Sequence, residues 1–324
     1  MLFLGLLTYS AFALDSSSLD PNSQIANPLN TIKAAYSQLG ASFEITQSTF
    51  IKKTKHCEIQ KVELNGIDPF HKQKQKMSFI RYVPTAAERY FSEVLIFPSM
   101  RYPNRGATAL EKKYASHLCK NYIATNVIHD WDGYFNPENL SLVSHDEMTM
   151  RLFNVGKTII NYIQKPVHLL GISGGAIYAP MILSLDDRAK GGVFIVGGAP
   201  LSKILADSKQ KAIKLQREQR IKNFQIYEHF SYLKTLNQSI SISPEMLVDT
   251  SKKNNVLLII GSKDKTVPYR YQNELWQVWE KPKKYTFNAG HMMTILNSYF
   301  FKHGKIEAFI ENNVVKDERA FSQP

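Results

Sequence analysis

Cysteine is nearly absent: Cys57 and Cys119 are the only two in 324 residues. Neither fits a metal-ligand spacing or a CxxC pattern, so a thiolate metal centre and a dithiol redox site are not indicated. The two could pair if the chain is exported, or stand as separate thiols. No charge-free apolar stretch reaches the ~20 residues that a membrane-spanning helix needs. There is no internal repeat and no long low-complexity tract. Acids are the scarcer charge, 28 Asp+Glu against 40 Lys+Arg, for a formal net charge of +12. Such a balance favours anionic partners, or simply keeps the protein in solution. No recognition module accompanies the basic residues, which speaks against nucleic acid as a partner.

What is present reads as a globular chain. Apolar residues make up 44%, and the length suits one large core or a core with a sizeable insertion. Residues 1–13 (MLFLGLLTYSAFA) carry an apolar run and a small-x-small site, as expected of a signal peptide cleaved after Ala13, although no Lys or Arg precedes the run. A periplasmic or secreted location follows from that reading; a buried N-terminal segment in a cytoplasmic protein is the alternative. Residues 14–41 form a lead-in, with a short helix over Asn30–Leu39 closed by Gly40. Ser42–Leu64 suits antiparallel edge strands, and Lys76–Val83 is another strand.

From Glu93 onward the pattern alternates. Strands are expected at Glu93–Phe97, Ile123–Ile128, Pro166–Ile172, Gly192–Val196, Val256–Ile260 and Lys284–Phe287. Helices are expected at Thr108–Lys120, His145–Ile163, Gly175–Leu185, Arg270–Trp279 and Tyr299–Glu311. Alternation of this kind implies an α/β fold with a mostly parallel central sheet and helices on both faces. EVLIF (residues 93–97) and VLLII (256–260) suit strands buried on both sides. The core then runs over residues 42–200 and 252–314, with a tail at 315–324. Residues 201–251 hold no buried strand and read as a helical cap inserted at a strand end. Between Lys203 and Lys222 that cap carries seven basic residues against Asp207 and Glu218. With Ile204, Leu205, Ile213, Ile221 and Phe224 it could touch an anionic membrane surface, or be a solvated helical face.

Ligands in such sheets bind beyond the carboxyl ends of the strands. Gly171-Ile172-Ser173-Gly174-Gly175 fits G-x-S-x-G at a strand-to-helix junction. A serine protruding from so sharp a turn needs neighbours two residues away without side chains, which Gly171 and Gly175 supply. The N–H of Gly174 opens the following helix and would donate to a developing oxyanion. Asp264 in GSKDKTVP lies just past the VLLII strand. His291 in NAGH lies just past the last strand. The chain order Ser…Asp…His suits an acid that orients an imidazole, which in turn deprotonates the hydroxyl. His129, taken to follow a strand, is the one serious rival among the other histidines. Asp130, Trp131 and Asp132 could line a substrate pocket, or merely cap and pack their loop.

On GISGG, GSKDKTVP and NAGH the chain resembles the α/β-hydrolases from about Ser42 to the C-terminal helix. The resemblance implies a serine hydrolase with Ser173 as nucleophile, His291 as base and Asp264 as orienting acid. It implies a second oxyanion donor in the loop after EVLIF, at the N–H of Met100, although Pro98-Ser99 stands where many relatives have His-Gly. A serine in the nucleophile position argues against dehalogenase chemistry, and no metal or organic cofactor is implied. The substrate class would be a small-molecule or lipid carboxylic ester. A peptidase or amidase would use the same residues, and a catalytically silent hydrolase-fold protein binding a partner through the basic cap is the third reading.

Overall fold

The computed structural model describes residues 28–86, 92–99, 107–131 and 135–321. Residues 1–13 therefore lie outside the described part, as do Met100 and Asp132. A helix α1 (Pro28–Ser37) leads into three antiparallel strands, β1 (Glu44–Lys53), β2 (Cys57–Ile67) and β3 (Lys74–Pro84). Tyr36 of α1 is buried and its hydroxyl bonds the Asp186 carboxylate, so this helix packs on the core. The alternation then begins with β4 (Glu93–Phe97), α2 (Ala109–Lys120), β5 (Thr125–Trp131), α3 (Ser144–Ile163) and β6 (Val167–Ile172). It continues through α4 (Gly175–Leu185) and β7 (Ala189–Ile195).

Among the described residues the strands make one nine-stranded sheet in the order β1-β2-β3-β5-β4-β6-β7-β8-β9. Here β8 is Val256–Gly261 and β9 is Lys283–Phe287. Pairing is antiparallel from β1 to β5 and parallel from β5 to β9. The heavily charged first strands sit at the edge, where water reaches at least one face. Between β7 and β8 the chain leaves the sheet and forms α5 (Leu201–Asp207), α6 (Lys211–Phe224) and α7 (His229–Ser239). After β8 come α8 (Tyr269–Val278) and, beyond β9, the long α9 (His291–Phe321).

Side chains of the parallel strands alternate between two apolar clusters. Val256, Leu258 and Ile260 join the cluster built with α3 and α4, whereas Leu257 and Ile259 join the one built with α2 and α9. Every residue of α4 is buried, which is why that helix is apolar on all sides rather than amphipathic.

Two differences from the sequence expectation bear on the site. The strand expected at Ile123–Ile128 is β5, Thr125–Trp131, because β3 pairs with it as far as Met77 opposite Trp131. Ile123 closes α2 instead, its N–H bonding the Leu118 carbonyl. His129 consequently lies within a strand and not after one. The last helix begins at His291, eight residues before the expected Tyr299, so the histidine sits on a helix's first residue and not in a free loop.

Candidate active site

The turn from β6 to α4 is held by steric constraint. Ser173 has φ +55°, in the left-handed region that non-glycine residues rarely adopt. A Cβ on Gly171 would lie 2.7 Å from the Gly175 carbonyl oxygen, and a Cβ on Gly175 would lie 2.1 Å from the Phe97 carbonyl oxygen. Only glycine on both sides lets α4 start this close to β6 and to the end of β4. The Ser173 N–H still bonds the Ile195 carbonyl at 2.8 Å, so the turn stays anchored to β7.

Ser173 Oγ lies 2.7 Å from His291 Nε2, and His291 Nδ1 lies 2.6 Å from Asp264 Oδ2. The three residues, remote in sequence, are thus brought into one hydrogen-bonded line. An ionised carboxylate can only accept, so with Asp264 charged the imidazole proton sits on Nδ1 and Nε2 is left to accept from the serine hydroxyl. Asp264 is buried. Its Oδ1 accepts from the backbone N–H groups of Thr266 and Val267 at 2.7 and 3.0 Å. Its Oδ2 also accepts from Gln272 Nε2 at 2.9 Å. The two loops are tied together: Ser262 N–H bonds the Phe287 carbonyl, and Lys263 N–H bonds the Ala289 carbonyl.

Two supporting residues escaped the sequence reading. Gln272, fully buried on α8, donates to Asp264 and to the Val267 carbonyl while accepting from the Gly261 N–H. In sequence it is one more polar residue on an amphipathic helix. Glu111, also buried, accepts from Ser99 N–H and Oγ at 3.0 Å and from Thr108 N–H at 2.8 Å. It thereby holds both described ends of the segment that contains Met100. The sequence signal was available, since Thr108 and Glu111 form a capping box.

Gly174 stands at the start of α4 with helical φ and ψ, beside Ser173. Met100 and Asp132 fall outside the described residues, as does the side chain of Trp131. Asp130 lines a polar cavity with Lys61, Glu63 and Lys76, and is not among the residues lining the cavity at Ser173. Antiparallel pairing with β3 sets Asp130 opposite Ser78 and so turns it toward the antiparallel strands.

A cavity of about 80 Å³ opens beside Ser173. Met148, Ile177, Tyr178 and Val267 line it from the core, and Leu201, Ile204, Leu205 and Ile213 from the inserted helices. His145 forms one polar end, and burial pushes its imidazole down to about 3, so it is neutral. Its Nε2 faces Arg220 Nη1 at 3.1 Å. Arg220 is fully buried and also donates to the Leu140 and Ser141 carbonyls and to Ser144 Oγ. Arg217 bonds the Ala206 and Ser208 carbonyls. Two of the basic residues of the insertion are therefore engaged, Arg220 in docking it on the core and Arg217 in joining its own helices, and are not left on a solvated basic face. Among the described residues no cluster of His, Cys, Asp or Glu is arranged to hold a metal ion.

A largely parallel sheet clad by helices, with a serine on a strained strand-to-helix turn, is the architecture of the α/β-hydrolase fold, and the chain has it. No family profile matches the sequence, and no curated protein does. Solved structures do match. An acetyl xylan esterase from Paenibacillus sp. R4 aligns with a TM-score of 0.59 at 12% identity, over 82% of this chain and 90% of that one. Acetyl xylan esterase 1 from Thermoanaerobacterium sp. JW/SL YS485 aligns at 0.54 and 13%, over 82% and 92%. An esterase from Pyrococcus furiosus aligns at 0.52 and 15%, over 84% and 99%. At such identities the likeness is one of fold.

Proposed function

We propose that the protein is a serine hydrolase that cleaves carboxylic esters with an apolar acyl group. The observation that carries this reading is the Ser173–His291–Asp264 hydrogen-bonded line opening on an apolar cavity. His291 Nε2 takes the hydroxyl proton as Ser173 Oγ attacks the ester carbonyl. Asp264 keeps the imidazole in its tautomer and stabilises the imidazolium. The Gly174 N–H, with Met100 as second donor, balances the charge on the tetrahedral oxygen. His291 then returns its proton to the departing alcohol, and water, deprotonated by the same histidine, releases the acid. That the structural neighbours named above are esterases agrees with this chemistry.

The test uses a fluorophosphonate probe and p-nitrophenyl esters of graded chain length, beside aminoacyl amides. Wild-type protein should label and turn over esters, and Ser173→Ala should do neither. Asp264→Asn should slow turnover by about 10⁴-fold while the fold persists. A folded wild type that neither labels nor turns over any of these substrates would sink the proposal. Faster turnover of the amides would move it to the peptidase reading.

Export belongs to the same proposal. Cys57 and Cys119 form a disulfide with Cα atoms 6.2 Å apart, and such bonds persist in oxidising compartments. Amino-terminal sequencing of the mature protein from fractionated cells should start at Leu14; an intact residue 1 in the cytosolic fraction would refute it.

A further inference from the structure

From His291 to Ile306 the chain carries no aspartate or glutamate. This is the opening of α9, where helices usually place acids to complement the positive end of their dipole. Met292, Met293, Phe300 and Phe301 on this helix are 51%, 54%, 60% and 72% exposed. Met293 and Phe300 are seven residues apart, and Met292, Leu296 and Phe300 are spaced by four, so they share one side of the helix. The opposite side is packed: Thr294, Ile295 and Ser298 are buried, and Ser298 Oγ lies 3.2 Å from the Tyr114 hydroxyl. The outer face is thus apolar where a surface helix normally turns charge to water.

Lysines flank it. Lys302 and Lys305 lie 5.1 and 5.8 Å from the centre of the Tyr285 ring, with Lys283 at 5.8 Å on the same ring. Lys113 lies 5.6 Å from the Tyr299 ring. None of these four is ion-paired to a carboxylate among the described residues. Their ammonium groups lie against aromatic rings with no carboxylate partner among the described residues, and such cations beside an apolar layer are suited to meeting phosphates.

We propose that this face of α9 is a docking surface for an anionic phospholipid membrane. Met292, Met293, Phe300 and Phe301 enter the boundary between headgroups and acyl chains while Lys113, Lys302 and Lys305 meet headgroup phosphates. The charge decides the occupant: an apolar patch on an acid-free stretch of helix, flanked by Lys113, Lys302 and Lys305, complements an anionic lipid surface better than a second copy of this basic chain. The other exposed aromatic pair, Tyr227 and Phe230 on the insertion, brackets Glu228 and adjoins the Asp207–His229 pair, so it lacks that complementarity. Because His291 is the first residue of α9, docking would hold the candidate active site near the lipid. The proposal concerns where the protein sits and stands independently of ester hydrolysis.

The experiment is co-sedimentation of the full chain with phosphatidylcholine vesicles, with and without phosphatidylglycerol, at low and high salt. Wild type should bind the anionic vesicles, and salt should weaken the binding. Phe300→Ser/Phe301→Ser should bind at least about tenfold more weakly. Lys302→Glu/Lys305→Glu should lose the preference for phosphatidylglycerol. Tyr227→Ser/Phe230→Ser should bind as wild type does. Circular dichroism and thermal melting check the fold, and Phe301→Ser alone serves if the double variant fails to fold. Wild type that ignores anionic vesicles overturns the proposal. So does binding lost through the Tyr227/Phe230 variant but kept by the α9 variants. A dimer in sedimentation that Phe301→Ser dissociates, without vesicle binding, would assign the face to a second copy instead.

Discussion

Gly175 has no room for a methyl group. The contact at 2.1 Å is with the Phe97 carbonyl, a backbone atom that cannot swing aside. Gly175→Ala should therefore push α4 away from β4, destabilising the fold by about 3 kcal/mol and slowing ester turnover by about 10²-fold as Ser173 moves off His291. Gly304, on α9, has nothing within 4 Å of its added Cβ, and Gly304→Ala should stabilise by about 0.5–1 kcal/mol through helix propensity alone. Urea unfolding of both variants, with turnover measured alongside, checks the pair; equal effects would refute the steric account. At this scale the sequence was most informative. The two glycines, Ser173, Asp264 and His291 lie in short local motifs that can be recognised without knowing what surrounds them. Gln272 and Glu111 were not singled out, because a buried polar residue on a helix looks in sequence like an exposed one.

The inserted helices are fastened to the loop before α3 and to its first turn. Gln216 and Arg220 of α6 reach the carbonyls of residues 136–141, and the Asp146 carboxylate accepts from the Ser241 and Ile242 N–H groups at 2.7 and 3.2 Å. Burial raises the Asp146 carboxyl to about 6, although those two amides pull the other way and nearby Glu147 adds a smaller upward push. The folded protein therefore holds a proton there that the unfolded chain, near 3.9, releases. Stability from this group is complete below about pH 4 and is lost as the pH rises through about 6, a span of about 3 kcal/mol. The stability of wild type relative to Asp146→Ala should decline over that window, measured by urea unfolding at several pH values. A difference that stays level would show that Asp146 does not titrate there. The helical character of this insertion could be read from its composition. Its attachment could not, because Gln216 and Arg220 look like surface residues until the carbonyls they satisfy are seen.

The Cys57–Cys119 bridge joins the start of β2 to α2 and closes a loop of sequence separation 62. Restricting the unfolded chain over that separation gives a stabilisation of about 4 kcal/mol in the chain-entropy account. Reduction, or the double variant Cys57→Ala/Cys119→Ala, should lower the midpoint of urea unfolding accordingly, while turnover at low urea persists because neither cysteine lines the cavity at Ser173. Activity lost together with the bridge in a still-folded protein would tie the disulfide to the site. The pairing was open in sequence, where two cysteines give no spacing to read; the antiparallel strands that carry Cys57 beside α2 decide it.

By itself, the sequence determined the alternating order of elements, the fold class and the three residues of the candidate site. Each of these is written in hydrophobic period or in a motif a few residues long, which local sterics interpret. Tertiary structure alone decided how far β5 runs, where α9 begins, which cavity Asp130 faces and what Arg217 and Arg220 hold. These depend on the pairing partner across a sheet or on the helix packed opposite. Such contacts join residues tens to hundreds of positions apart, and no local pattern records them.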